Sequence, residues 1–173
     1  MSRIKIEKTI VTLVLTTCWL LMPVIGYNAT APVENHLLYL LCHANFWHLA
    51  GNLFVLWLIP GRKLWIVPSV AIAVLCSWAP VLLGLWELCG RPADPTTMTV
   101  GFSGVLMAIV GILWGRWGRE EQRNGRKHWQ IWSKACVKLL PVIAIGAILP
   151  GLNWSIHLYC VVAGCAYGYI TKR

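Results

Sequence analysis

Charge is what this sequence has least of. Only 12% of its 173 residues are Asp, Glu, Lys or Arg, while 58% are hydrophobic; soluble domains carry about 25% charged residues. A soluble fold of this length needs polar groups to cover its surface, and this chain does not supply them. The same numbers exclude disorder, collagen and coiled coil. Cysteine pairing is also missing. The seven cysteines (18, 42, 76, 89, 136, 160, 165) form no C-x-x-C and are odd in number. Most lie in apolar runs, where Cys behaves as a small hydrophobe. Neither a metal cluster nor a disulfide framework is supported; Cys42 and Cys89, both in candidate external loops, are the one place where a bridge is conceivable. What remains is the composition of an integral membrane protein.

The apolar runs divide into six spans, at roughly 9–26, 45–60, 64–86, 101–115, 135–149 and 153–170. The second and fourth fall short of the ~20 residues that an average bilayer asks for. Arg3, Lys5 and Lys8 before the first span, and Ala29-Thr30-Ala31 after it, also resemble a signal peptide with its cleavage site. An anchor is the better reading, because removing the span would break the charge pattern of the loops. Thirteen of the fifteen basic residues fall before span one, in alternate connections or at the C-terminus, Lys138 lies just inside the cytoplasmic start of span five, and Arg91 alone lies in the opposite loops. The positive-inside rule then puts both termini in the cytoplasm. The net charge of +9 is thereby accounted for without nucleic acid. Residues 116–134 could dock anionic lipid, although a solvated cytoplasmic loop explains them as well.

Polar side chains inside hydrocarbon are costly and are functional candidates by default. Here they are His48 and Asn52 in span two, Ser103 in span four and His157 in span six. At 1.5 Å of rise per residue, counted from the cytoplasmic anchors, His48, Ser103 and His157 all lie about 8–10 Å below the outer boundary, with Asn52 about 15 Å below it. His43 comes out close to the external surface. Along span four, Ser103, Met107, Gly111 and Gly115 line one stripe; along span six, Cys160, Gly164 and Gly168 form another, three residues beyond His157. Small residues at this spacing let two membrane helices approach closely, and packing the stripes together brings Ser103 beside His157. A neutral imidazole there can take the hydroxyl proton as the oxygen attacks a carbonyl. His48 and Asn52, four residues apart on one face, offer N–H donors to a developing oxyanion. No Asp or Glu falls within any span, so the unit is a dyad.

Each residue alone has a blander reading. Ser103 could cap its helix, and His157 or Asn52 could be interhelical polar glue. Gly101-Phe102-Ser103-Gly104 is not the G-x-S-x-G elbow of soluble hydrolases, since position 105 is Val. A metal site at His43 and His48 is disfavoured: five residues of spacing put them about 140° apart on a helix, and no acid intervenes. The tryptophans at 19, 47, 65, 86, 114, 132 and 154 read as an interfacial belt, and the sequon Asn28-Ala29-Thr30 counts for little. The constellation outweighs the separate readings.

That constellation resembles a known family. His43-Ala44-Asn45-Phe46-Trp47-His48-Leu49-Ala50-Gly51-Asn52 is similar to the H-x4-H-x3-N motif of rhomboid intramembrane serine proteases. Gly101-Phe102-Ser103-Gly104 resembles their G-x-S-G at the head of a short fourth helix, and His157, with Gly164 beyond it, resembles their sixth-helix histidine and its packing face. The resemblance implies an all-α, six-helix rhomboid-like bundle, read as one domain over 1–173. It implies Ser103 as nucleophile and His157 as general base. The oxyanion hole would be the Ser103 backbone N–H with the His48 and Asn52 side chains. His43, Gly101, Gly104 and Gly164 would support the site, with no metal and no cofactor. Substrates would be single-span membrane proteins unwound near the outer face and cut at small residues, since a helical peptide bond must be exposed before attack. Three features depart from the family: Cys160 stands where Gly is common, Met107 where a Tyr often stacks on the histidine, and Glu34-Asn35 lies in the region of a frequent Trp-Arg pair. Loop 87–100 is expected to dip inward and deliver helix four. A catalytically silent rhomboid-like protein that binds or escorts transmembrane helices is the alternative, disfavoured by the intact Ser, His and Asn. A transporter is disfavoured by the apolar lower halves of spans four and six. Short tails and no added domain fit a bacterial inner membrane.

Overall fold

The computed structural model describes residues 2–28, 30–61, 63–83, 98–131, 133, 137 and 153–171. Six helices stand among them: α1 (Arg3–Leu21), α2 (Asn35–Leu38), α3 (Phe46–Leu58), α4 (Ile66–Leu83), α5 (Ser103–Arg123) and α6 (Trp154–Ile170). A further helical turn begins at His128. Among the described residues there is no strand, only an isolated antiparallel bridge between Tyr27 and Thr99. The expected span at 135–149 lies outside the described residues save position 137. Loop 87–100, with Cys89, does so save its last three positions.

Where helices are seen, three of the expected boundaries move. The first helix starts at Arg3 and ends at Leu21 rather than running 9–26, because Pro23 cannot continue it and charged residues at its start are no bar to helix. The fourth expected helix is not short. As α5 it has 21 residues and continues past 115 to Arg123, since Arg116, Arg119, Glu120, Glu121, Gln122 and Arg123 are good helix formers that a count of apolar residues stops short of. The sixth, Trp154–Ile170, lies where expected. Among the described residues no helix is long and apolar enough to cross a membrane. With 13 and 17 residues, α3 and α6 extend about 20 and 26 Å against a hydrocarbon core of about 30 Å.

Among the described residues the largest helix interface joins α5 to α6, and it is made by backbone. Both helices start at the same end of the molecule and run side by side. A Cβ on Gly111 would strike the Val161 carbonyl and lie 2.9 Å from the Cys165 nitrogen; one on Gly115 would strike the Cys165 carbonyl and lie 2.7 Å from the Tyr169 nitrogen. From the other side, Cβ atoms on Gly164 and Gly168 would strike the carbonyls of Ala108 and Ile112. The two stripes of small residues therefore face one another, and main chain meets main chain as small-xxx-small packing requires. Around the seam lie Val105, Leu106, Ile109 and Ile112 of α5, with Ile156 and Cys160 of α6, all buried. Elsewhere large apolar side chains point outward, among them Ile10, Leu13, Leu20, Phe54, Val67, Leu75 and Val162.

Near the start of α1 a polar corner ties the helices together. Lys8, buried, donates from Nζ to the carbonyls of Trp57 and Ile59, both at 2.8 Å. It thus satisfies the exposed carbonyls at the C-terminus of α3, where a cation is favoured. Glu7 Oε1 accepts from Arg3 Nε at 2.8 Å, and its Oε2 accepts the Leu64 N–H at 2.8 Å. The next residue, Trp65, has φ +57°, and its ring centroid lies 4.3 Å from Lys63 Nζ and 4.3 Å from Arg116 Cζ. Burial alone would push the Glu7 carboxyl up; the Arg3 guanidinium, the Leu64 N–H and Lys63 reverse this and hold it below its ordinary value.

Two predictions arise from this packing. Gly115→Ala should lower stability by about 1–3 kcal/mol through overpacking against backbone. Gly51→Ala, whose Cβ would meet nothing within 4 Å, should be neutral or stabilising by up to ~1 kcal/mol; thermal unfolding of the two variants in detergent checks the contrast. Because the folded-state pKa of Glu7 is depressed, its contribution is complete above the ordinary value of 4.5 and is lost as pH falls through the lower folded value. Glu7→Gln should therefore show a shallower loss of melting temperature on acidification below that point than the wild type.

Candidate active site

The residues singled out in the sequence come from three parts of the chain, and local structure aims each one. Ser103 is the first residue of α5. The N-cap is Phe102, with no side-chain cap bond, so the expectation that Ser103 might serve only as a helix cap is set aside. Its hydroxyl instead meets His157 Nε2 at 2.8 Å. His157 lies in the first turn of α6, whose N-cap Asn153 accepts the Ile156 N–H at 3.4 Å. This pair lies at the head of the glycine seam, where the separation of the two helices is set.

The second group comes from α3. Asn45 caps that helix, accepting the His48 N–H at 2.9 Å, which orients its first turn. Gly101 has φ +113°, a left-handed value that favours glycine. A Cβ there would stand 2.6 Å from His48 Cε1, 2.7 Å from His48 Nε2 and 3.5 Å from Asn52 Nδ2. The absent side chain lets the chain just before Ser103 lie directly against both α3 residues. Asn52 is buried, and its Nδ2 has no hydrogen-bond partner among the described residues. An unpaired buried donor is costly and marks a place where an acceptor is expected.

His43 is corrected in position. Helical spacing would set it about 140° around the axis from His48, but α3 begins only at Phe46. Freed from helical spacing, the buried His43 ring stands 5.2 Å from the His48 ring, edge to face. Among the described residues no group of three His, Cys, Asp or Glu could hold a metal. Gly104 lies under Cys160: a Cβ there would be 3.4 Å from Cys160 Sγ, 3.5 Å from the Tyr39 hydroxyl and 3.7 Å from Ala73 Cβ. These are ordinary van der Waals distances, so the Cys160 sulfur lies beside Gly104 without crowding it. Met107 is half-buried against the same core. Cys42 is a free thiol donating to the Pro23 carbonyl at 3.4 Å.

Several positioning groups were not singled out in the sequence. Tyr27 and Thr99 exchange backbone hydrogen bonds at 3.0 and 2.8 Å, and the Gly101 N–H donates to the Tyr39 carbonyl at 2.8 Å. Asn35 Nδ2 donates to the Gly26 carbonyl at 2.9 Å. His36, buried, stacks on Trp78 at 3.8 Å, bonds Ser77 Oγ through Nδ1 at 2.9 Å, and lies against Tyr27. Together these pin the loop between α1 and α3 onto α4 and use it to hold residues 98–101. Asn153 ahead of an apolar run is a helix-start signal that could have been read; the Tyr27–Thr99 bridge has no local signature.

Gly101→Ala is the sharpest test of this geometry. It should cost about 1–3 kcal/mol through the left-handed φ and the collision with His48, seen as a lower melting temperature, and should displace the His48 ring from the serine loop.

Comparison with known proteins then bears on the site. No curated protein and no solved structure matches the chain. The sequence profile of the Rhomboid domain matches residues 32–173, a stretch that holds the H-x4-H-x3-N segment, the G-x-S-G segment and His157. Most of the chain is covered, and this protein belongs to the rhomboid family, whose members are membrane proteins that include serine intramembrane proteases and inactive relatives.

Proposed function

We propose that this chain is an intramembrane serine endopeptidase, with Ser103 as nucleophile and His157 as general base. The 2.8 Å contact between Ser103 Oγ and His157 Nε2 is the observation that carries the reading, since a nucleophile and its base must lie within hydrogen-bond reach. His157 Nε2 takes the hydroxyl proton while Oγ bonds to the scissile carbonyl carbon, and the carbonyl oxygen becomes an oxyanion. The Ser103 N–H, in the first turn of α5 where N–H groups lack intrahelical partners, joins the His48 and Asn52 side chains in stabilising it. The unpaired Asn52 amide supports that role. The positive helix ends of α5 and α6 favour the same charge. Collapse of the intermediate returns the proton from His157 to the leaving amine, and water then hydrolyses the acyl-enzyme by the same steps. Side chains and water suffice, with no cofactor or metal.

We propose a wider reading as well, supported by composition and by membership of the family. The chain is a single domain of six transmembrane helices, both termini cytoplasmic, in a bacterial inner membrane. Its substrates are single-span membrane proteins, cut near the outer face, and it takes no nucleic acid. The outward-facing Ile, Leu, Val and Phe of α1, α3, α4 and α6 support contact with lipid, because a soluble monomer rarely exposes so much apolar surface.

Labelling of the purified protein in detergent by a fluorophosphonate needs no knowledge of the substrate. The wild type should be labelled, and Ser103→Ala and His157→Ala should each lose labelling by a factor of at least ~10³. A folded wild type that resists labelling would turn attention to the helix-binding reading.

A further inference from the structure

We infer that Thr99 and Asn153 form a positioning pair that sets the distance between Ser103 and His157; this rests on the catalytic reading above. Asn153 Nδ2 donates to Thr99 Oγ1 at 2.7 Å. Thr99 precedes the serine by four residues, and Asn153 precedes the histidine by four. Both hydrogen bonds join residues 54 positions apart, so the pair is a second rung between the same two segments, one step outward from the dyad.

Each end of that rung is held independently. Thr99 is fixed by its two backbone bonds to Tyr27, and two residues on, Gly101 is fixed to the Tyr39 carbonyl. Asn153 is fixed by capping: its Oδ1 accepts the Ile156 N–H, which sets the phase of the first turn of α6 and hence the direction of His157. A single amide therefore senses both the start of the histidine helix and the loop that delivers the serine. Inward of the dyad, the spacing of α5 and α6 is set by glycine contacts; outward of it, the only hydrogen bond among the described residues that joins the two segments through side chains is Thr99–Asn153. The dyad is then supported on both sides, and its 2.8 Å separation does not depend on the serine–histidine bond alone. Neither residue touches the reacting atoms, so the role is positional.

The test measures the rate of fluorophosphonate labelling per folded molecule, well below each variant's melting temperature. Thr99→Val removes the acceptor at constant shape; Thr99→Ser keeps it. Asn153→Ser keeps a capping oxygen but is too short to reach Thr99. Thr99→Val and Asn153→Ser should each slow labelling by about tenfold or more, because small misplacements of reacting groups are costly. Thr99→Ser should recover most of the rate, and the double variant Thr99→Val/Asn153→Ser should be no slower than the slower single, as for two ends of one interaction. Wild-type rates per folded molecule in both single variants would overturn the inference while leaving the dyad standing, as would a Thr99→Ser variant as slow as Thr99→Val or fully additive losses. A folded wild type that is never labelled would overturn the catalytic reading and this inference with it.

Discussion

The rest of the site depends on the contact between the backbones of α5 and α6. Gly111 and Gly115 on one side, and Gly164 and Gly168 on the other, leave no room for a single Cβ. The two helices run the same way, so their spacing near the glycines is transmitted, along about 12 Å of rigid helix, to Ser103 and His157 at their heads. A hydrogen bond between two short side chains tolerates only a few tenths of an ångström. Helices separated by ordinary side chains would place these residues too far apart to meet. Glycine loses helix propensity at each of these positions, and the gain is an interface at the closest approach two helices can make.

The outer layer solves a different problem, that of bringing a third element to the same point. His48 and Asn52 belong to α3, which is not part of the glycine seam. They reach the serine because Gly101 lets the main chain pass within contact distance of both. That main chain is itself held by Tyr27 and Tyr39 of the preceding loop, and the loop is anchored on α4 by the stack of His36 on Trp78. Aromatic packing in the loop thus controls a polar geometry some distance away. The Cys160 sulfur lies beside Gly104, at ordinary van der Waals distance from where a Cβ would stand. At the other end, Lys8 and Glu7 fix α1 to the end of α3 and to Leu64, so the helix that carries His48 and Asn52 is held at both ends.

Much of this could be read from the chain. The small-residue stripes of spans four and six predict that these two helices touch, because helical periodicity is a local property and small residues at every fourth position have few other uses. The pairing of His48 with Asn52 followed from the same periodicity. Periodicity does not extend beyond the helix: helical spacing would set His43 about 140° from His48, whereas α3 begins only at Phe46 and the rings meet edge to face. The length of α5 is likewise not legible in the apolar run, since apolar count measures fit to lipid and not the end of a helix.

The sequence by itself determined which residue types could do chemistry, that they would sit on helices at one level, and that two of those helices could touch. Those properties depend on composition and on spacing along one element. Only the tertiary structure decided that Ser103 faces His157 rather than capping its own helix, that Gly101 is the point where α3 meets the serine loop, and that Thr99 and Asn153 bond across the head of the site. Each of these joins segments tens of residues apart, and hydrogen-bond geometry at that range follows from how whole helices pack, which no local pattern encodes.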